Sequence, residues 1–194
     1  MTETSNQNPT VTASEAEASL LHIHQIAQRT RKIIAQGPAS TILMLWGFIW
    51  MVGYGLSEFR PDWASPAWII LDAIGGIGSF AFGMRSRPPV TGGRGDVRIG
   101  IFWLTLFAYA VLWIWLLGPP DFKRAGAYFA TVPMFGYVVG GLWLSRFFVW
   151  LGLAVTALTV LGLMLFPEHF YLWMALIAGG SLILSGIYVR RAWK

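Results

Sequence analysis

Residues 147–166 read FFVWLGLAVTALTVLGLMLF, a run of twenty residues without a charged side chain. An α-helix needs about 20 mainly apolar residues to cross a hydrocarbon core that is about 30 Å thick. Inside lipid, every backbone N–H and C=O group must find its hydrogen-bond partner within the protein, and a continuously apolar run satisfies this as a helix. A barrel strand would instead alternate in polarity. The stretch therefore predicts a transmembrane helix.

Five further runs have a similar length and the same apolar character. They are residues 39–57, 66–84, 97–117, 125–144 and 170–189. The composition agrees, because 12% of the chain is charged against roughly 25% in soluble domains. Cysteine is absent, which excludes a disulfide scaffold and a thiolate metal site. The sequence predicts an all-α integral membrane protein whose six transmembrane helices occupy residues 39–194.

Three connections between the predicted helices share one pattern of residue types. Each carries proline, then an acidic residue, then an aromatic residue within two positions, at residues 60–63, 119–122 and 167–170. Proline and acidic residues favour turns, and aromatic residues favour the membrane interface. In a six-span topology all three connections lie on one side of the membrane. We therefore predict that the helices form three hairpins.

The basic residues predict the orientation. With six spans, eleven of the fourteen fall on one side: Arg29, Arg31, Lys32, Arg85, Arg87, Arg94, Arg98, Arg146, Arg190, Arg191 and Lys194. Short loops that are rich in Lys and Arg stay in the cytoplasm. Both termini are therefore predicted to be cytoplasmic, and the bacterial cytoplasmic (inner) membrane is the simplest location. The same bias explains the net charge of +5, so we predict no nucleic-acid partner.

The segment before the first span divides into two parts. Residues 1–13 are small and polar, and we expect a disordered tail. Residues 14–38 begin with the capping-box pair Ser14 and Glu17 and continue with apolar residues at helical spacing, which predicts an amphipathic cytoplasmic helix. Such a helix either lies among the headgroups of the membrane lipids, or docks a protein partner or a second copy through residues 14–36.

Asp72 is the one formally charged residue well inside a predicted span. It lies six residues past Pro66, which places it about 9 Å below the membrane edge. A charged aspartate deep in a span costs about 2.5–3.5 kcal/mol, and such residues usually face the interior of the bundle. It is either a carboxylate that responds to protons or cations in a cavity, or a protonated or hydrogen-bonded aspartate that a Tyr, Trp or Thr of a neighbouring helix holds.

A candidate intramembrane polar site follows from the neighbours of Asp72. Ser79 shares its helix face, and Trp50 and Tyr54 share one face of the first predicted span. The two aromatic residues could line a pocket or a cation site. Core packing is the alternative for both of them.

A candidate pH-responsive rim contains His169 and Glu168. Histidine is the side chain that changes charge between pH 5 and 8, and these two residues lie in the last connection. A histidine that merely sits in the interfacial belt is the alternative. We find no nucleophile–base pair and no metal-ligand pattern, so we predict no catalytic residues, no metal, no cofactor and no enzyme.

The chain resembles the HdeD-type acid-resistance membrane proteins. The likeness rests on three hairpins, on both termini lying inside, and on the pattern Leu-Trp-x-x-Leu-x-x-Gly-Gly…Gly…Arg in residues 172–190. The resemblance implies a six-helix architecture and supplies no catalytic residue. We predict a non-enzymatic membrane module that acts through partners, lipids or envelope stress. The alternatives are a small-solute, proton or ion pathway that uses Asp72, and an intramembrane enzyme.

Overall fold

The computed structural model describes residues 38–85, 94–118 and 120–192, and within the segment before them Glu15, 17–19, Leu21, His22 and Gln25. The described residues between 38 and 192 form six successive helices: α1 Pro38–Phe59, α2 Pro61–Arg85, α3 Arg94–Leu117, α4 Phe122–Leu144, α5 Arg146–Leu165 and α6 Phe170–Ala192. All six are long enough and apolar enough to cross a membrane. The chain is an all-α, multi-pass membrane protein, as the sequence predicts.

Four of the helices form the core, and α2 and α3 lie at its edge. Within the most apolar 18 residues of each span, 39% are buried in α1 and α6, against 6% in α2 and α3. The most extensive contacts join α1 to α6 and α4 to α5, while α2 packs along α1 and α3 packs on α4. Each predicted hairpin pair is in contact. The largest buried side chains include Leu43, Met134, Val155, Phe170, Met174 and Leu182.

Glycines allow the inner helices to touch through their backbones. A Cβ atom on Gly179 of α6 would lie 3.0 Å from the carbonyl oxygen of Gly47 in α1. A Cβ atom on Gly152 of α5 would lie 2.6 Å from the carbonyl oxygen of Met134 in α4. Small residues at such positions are typical of close helix contacts in membranes, where van der Waals packing drives association.

Two reciprocal tryptophan contacts hold α2 on α1. Both helices carry the spacing Trp-x6-Gly-x3-Ser, as Trp46, Gly53 and Ser57 in α1 and as Trp68, Gly75 and Ser79 in α2. The indole of Trp46 covers Gly75, and its Nε1 donates to the Ser79 hydroxyl at 3.0 Å. The indole of Trp68 covers the glycine of α1, and its Nε1 donates to the serine hydroxyl of α1 at 3.1 Å. These contacts fix the rotation of α2 about its axis.

The structure corrects the predicted start of the second span. The helix α2 begins at Pro61, not at residue 66, and Pro66 lies inside it. Proline is favourable at the first helical position, because its missing N–H group would have no partner there. Asp72 is consequently the middle residue of the span Pro61–Gly83, about 16 Å from either end of that span.

Two other features differ from the expectation or lie beyond it. The helix α6 contains a π-helical segment, Met174–Gly179, which the sequence did not predict. The predicted tail at residues 1–13 lies outside the described residues. Of the predicted helix at residues 14–38, the described positions 15, 17–19, 21, 22 and 25 are helical and exposed, and the boundary residue Pro38 belongs to α1.

Candidate functional site

Trp50 and Tyr54 belong to the packed core. Both side chains are buried, and their rings meet edge to face with centroids 6.0 Å apart. The Tyr54 hydroxyl donates to the carbonyl oxygen of Gly126 in α4 at 2.8 Å. The Tyr54 ring also contacts Trp68 and Phe170. These two members of the predicted polar site therefore help to join α1, α2, α4 and α6.

Ser79 is also engaged in helix packing. Its hydroxyl accepts the indole N–H of Trp46, so it contributes to the contact between α1 and α2. Its neighbour one turn earlier, Gly75, lies against the same indole. Ser79 and Gly75 thus face α1, and Ser79 makes no described hydrogen bond with Asp72.

Asp72 lies at the edge of this contact and is exposed on the bundle surface. Within the described part of the chain, its carboxylate forms no hydrogen bond and no ion pair. It remains within electrostatic reach of the Tyr54 hydroxyl. This placement differs from the expectation that Asp72 faces the bundle interior. The four residues of the predicted site therefore do not enclose one cavity, and Asp72 alone presents an unused polar group.

A strip of exposed residues on α2 surrounds Asp72, and we call it the α2 surface. It consists of Ile69, Asp72, Ala73, Gly76 and Phe80. Their positions i, i+3, i+4, i+7 and i+11 place them on one side of the helix. The adjoining exposed side, about 100° further around the helix, consists of isoleucines at positions 70, 74 and 77. The carboxylate and the small residues are therefore confined to one strip, and the other strip is suited to lipid.

An open cleft of about 420 Å³ lies between α3, α4 and α5. Its lining is mainly aromatic and aliphatic, and includes Leu106, Tyr109, Trp113, Tyr128, Phe135 and Leu153. One hydrogen bond crosses its floor, from the Tyr128 hydroxyl to the carbonyl oxygen of Ala110 at 3.1 Å. Asp72 is not part of this lining.

At the rim opposite the chain termini, His169 pairs with Glu58 and not with its neighbour Glu168. The distance from His169 Nδ1 to Glu58 Oε1 is 3.2 Å. The His169 side chain is 75% exposed and the Glu58 side chain is 14% exposed. Glu58 is not part of the predicted pH-responsive rim, because 111 positions separate it from His169 and no local pattern pairs them. Close by, the Lys123 ammonium donates to the Pro167 carbonyl oxygen at 2.7 Å.

We expect Glu58→Gln to lower the free energy of unfolding by less than about 1 kcal/mol, because solvent screens an ion pair with an exposed partner. Denaturant unfolding in detergent micelles measures the change. The control Glu168→Gln should leave the free energy of unfolding unchanged, and equal losses for the two variants would contradict the assignment of Glu58 as the partner of His169.

Comparison of the chain with protein-family models, with curated proteins and with solved structures gave no match. Among the described residues, no cluster of three His, Asp or Glu side chains could hold a metal ion. The chemistry that the site offers is therefore that of one carboxylate at the middle of a span. A carboxylate accepts hydrogen bonds, pairs with cations or binds a proton.

Proposed function

We propose that the protein is a non-enzymatic membrane module that binds another membrane component along the α2 surface. The observation that carries this proposal is the placement of Asp72, which is exposed at the middle of a span. An unpartnered charge at that depth costs about 2.5–3.5 kcal/mol. A partner that donates to the carboxylate would offset this cost, whereas lipid would not.

The attachment of α2 supports a binding role over a structural one. Trp46 on Gly75 and Trp68 on Gly53 fix the helix, so Asp72 cannot reach the core by rotation of α2. The α2 and α3 helices also bury few residues within the chain. A protein that acts by binding a partner needs a surface that is rigidly held and that its own helices do not cover. The α2 surface has both properties.

A proton or ion pathway is the alternative, and the geometry supports it less. A pathway needs a polar route through the bundle on both sides of the carboxylate. The side chains of Trp50 and Tyr54 fill the core beside α2, and the open cleft does not include Asp72. Among the described residues, the feature that favours transport is the carboxylate itself.

We further infer a bacterial cytoplasmic membrane with both termini cytoplasmic. The support is the bias of eleven basic residues to the end that carries the termini. Residues 14–36 would then contact lipid headgroups or a second partner at that surface. A role in envelope stress would agree with the resemblance to the HdeD-type proteins.

Photo-crosslinking in living cells tests the module. A photoreactive phenylalanine replaces Ile69 on the α2 surface, and in a matched control it replaces Leu104 on α3, since both residues are 73% exposed. We expect a discrete protein adduct from position 69 and lipid adducts from position 104. Asp72→Leu should abolish the protein adduct. It should leave the fold intact, because the Asp72 carboxylate forms no hydrogen bond within the described part of the chain.

Two results would count against the module. One is an adduct from position 69 that persists unchanged in Asp72→Leu, because the carboxylate would then have no part in binding. The other is proton flux into liposomes that the wild-type protein supports and Asp72→Asn abolishes, because this would favour the pathway.

A further inference from the structure

The charge at the centre of the α2 surface defines the partner that this surface fits. Building on the proposed function, we propose that the α2 surface binds a transmembrane helix of a different protein, with a lysine or arginine near the midpoint of that helix. The complement of an exposed carboxylate in a low-dielectric medium is a cation, and intramembrane charges usually pair with one another.

The depth of Asp72 requires a helix as the carrier of that cation. Asp72 is the middle residue of the span Pro61–Gly83, so about 16 Å of helix separates it from either end of the span. Lipid headgroups and cytoplasmic basic segments lie near the ends of spanning helices. The groups that can meet the carboxylate at this depth are side chains of another spanning segment.

A second copy of the chain does not supply the required cation. The basic residues within its six spans are Lys123, Arg124, Arg146, Arg190 and Arg191. All five lie within three positions of a span end. A twofold contact along the α2 surface would moreover place the Asp72 carboxylates of the two copies opposite each other. The partner must therefore be a different chain.

The residues around Asp72 permit a helix to approach closely. Ala73 and Gly76 are small, and a Cβ atom on Gly76 would meet nothing within 4 Å. Ile69 and Phe80 extend the strip by about one helical turn on either side. Small residues flanked by larger apolar ones are typical of contacts between transmembrane helices.

Binding of designed helices tests the inference. The full-length protein is reconstituted in phosphatidylcholine vesicles with a 20-residue leucine–alanine helix that carries a central lysine, and energy transfer between fluorescent labels measures association. A helix with central leucine is the matched probe. We expect the lysine helix to bind at least about tenfold more tightly. Asp72→Asn should abolish this preference, and Asp62→Asn, at the exposed start of α2, should preserve it.

A second pair of variants tests the shape of the surface. Gly76→Leu should weaken binding of the lysine helix although the carboxylate remains. Gly140→Leu on α4 is the control, because a Cβ atom at Gly140 also meets nothing within 4 Å. Circular dichroism in the vesicles verifies that each variant is folded.

The outcomes separate the inference from the proposed function. Equal binding of the lysine and leucine helices, or a preference that survives Asp72→Asn, would overturn the inference. So would association between two copies that depends on Asp72 and that the lysine helix cannot displace. If position 69 still yields an Asp72-dependent protein adduct in cells, the module stands and only the cationic partner is rejected. If the preference for the lysine helix and the Asp72-dependent adduct are both absent, the inference and the proposed function are both rejected.

Discussion

Gly152→Ala is expected to lower the free energy of unfolding by about 1–3 kcal/mol, the usual effect of overpacking a close contact. The added Cβ atom would lie 2.6 Å from the Met134 carbonyl oxygen and 3.1 Å from the Val138 backbone nitrogen. Both neighbours are backbone atoms, which cannot move without moving α4. The contact between α4 and α5 is one of the two most extensive in the bundle. Relief of the clash therefore requires the packed surfaces of both helices to shift.

Gly140→Ala provides the control in the same helix pair. A Cβ atom at Gly140 meets nothing within 4 Å, and alanine is the better helix former, so we expect no loss and a gain of up to about 1 kcal/mol. Denaturant titration in micelles, followed by circular dichroism, measures both variants. Similar losses for the two would show that the close contact between α4 and α5 is not the cause of the loss in Gly152→Ala.

The spans could be predicted from the sequence because each one must satisfy the same physical requirement by itself. An apolar run of about 20 residues is the condition for crossing the membrane, whichever neighbours surround it. The predicted start of the second span was wrong because the chain has two prolines there, Pro61 and Pro66, and either one is compatible with the first turn of a helix. The π-helical segment Met174–Gly179 packs against α1, and no local sequence pattern indicates it.

The same distinction applies to the candidate site. Its local features can be predicted from the sequence, and the features that depend on helix packing cannot. The charge of Asp72 within a span is evident from the sequence, but the direction it faces is not. Ser79 and Gly75 share a helix face with Asp72 by spacing, yet the structure divides that face. Ser79 and Gly75 turn toward α1, and Asp72 stays exposed beside them. The rotation is set by the indoles of Trp46 and Trp68, whose partners lie on the other helix.

Trp68→Ala is expected to lower the free energy of unfolding by about 3 kcal/mol, the lower end for removing a large aromatic side chain, because Trp68 is partly exposed. The substitution removes the cover over Gly53, the hydrogen bond to Ser57 and the edge contact with Tyr54 at 4.9 Å. Trp63→Ala is the matched control on the same helix. Its side chain is 64% exposed, so we expect a change of less than about 0.5 kcal/mol.

Trp68→Phe separates packing from hydrogen bonding in this contact. It keeps most of the aromatic cover and loses the bond to the Ser57 hydroxyl, for which we expect about 0.6 kcal/mol, the average for such bonds between membrane helices. Because Trp68 also fixes the rotation of α2, the Asp72-dependent adduct from position 69 should disappear in Trp68→Ala and persist in Trp68→Phe. Retention of the adduct in Trp68→Ala would mean that the partner itself, and not the tryptophan contact, orients the α2 surface.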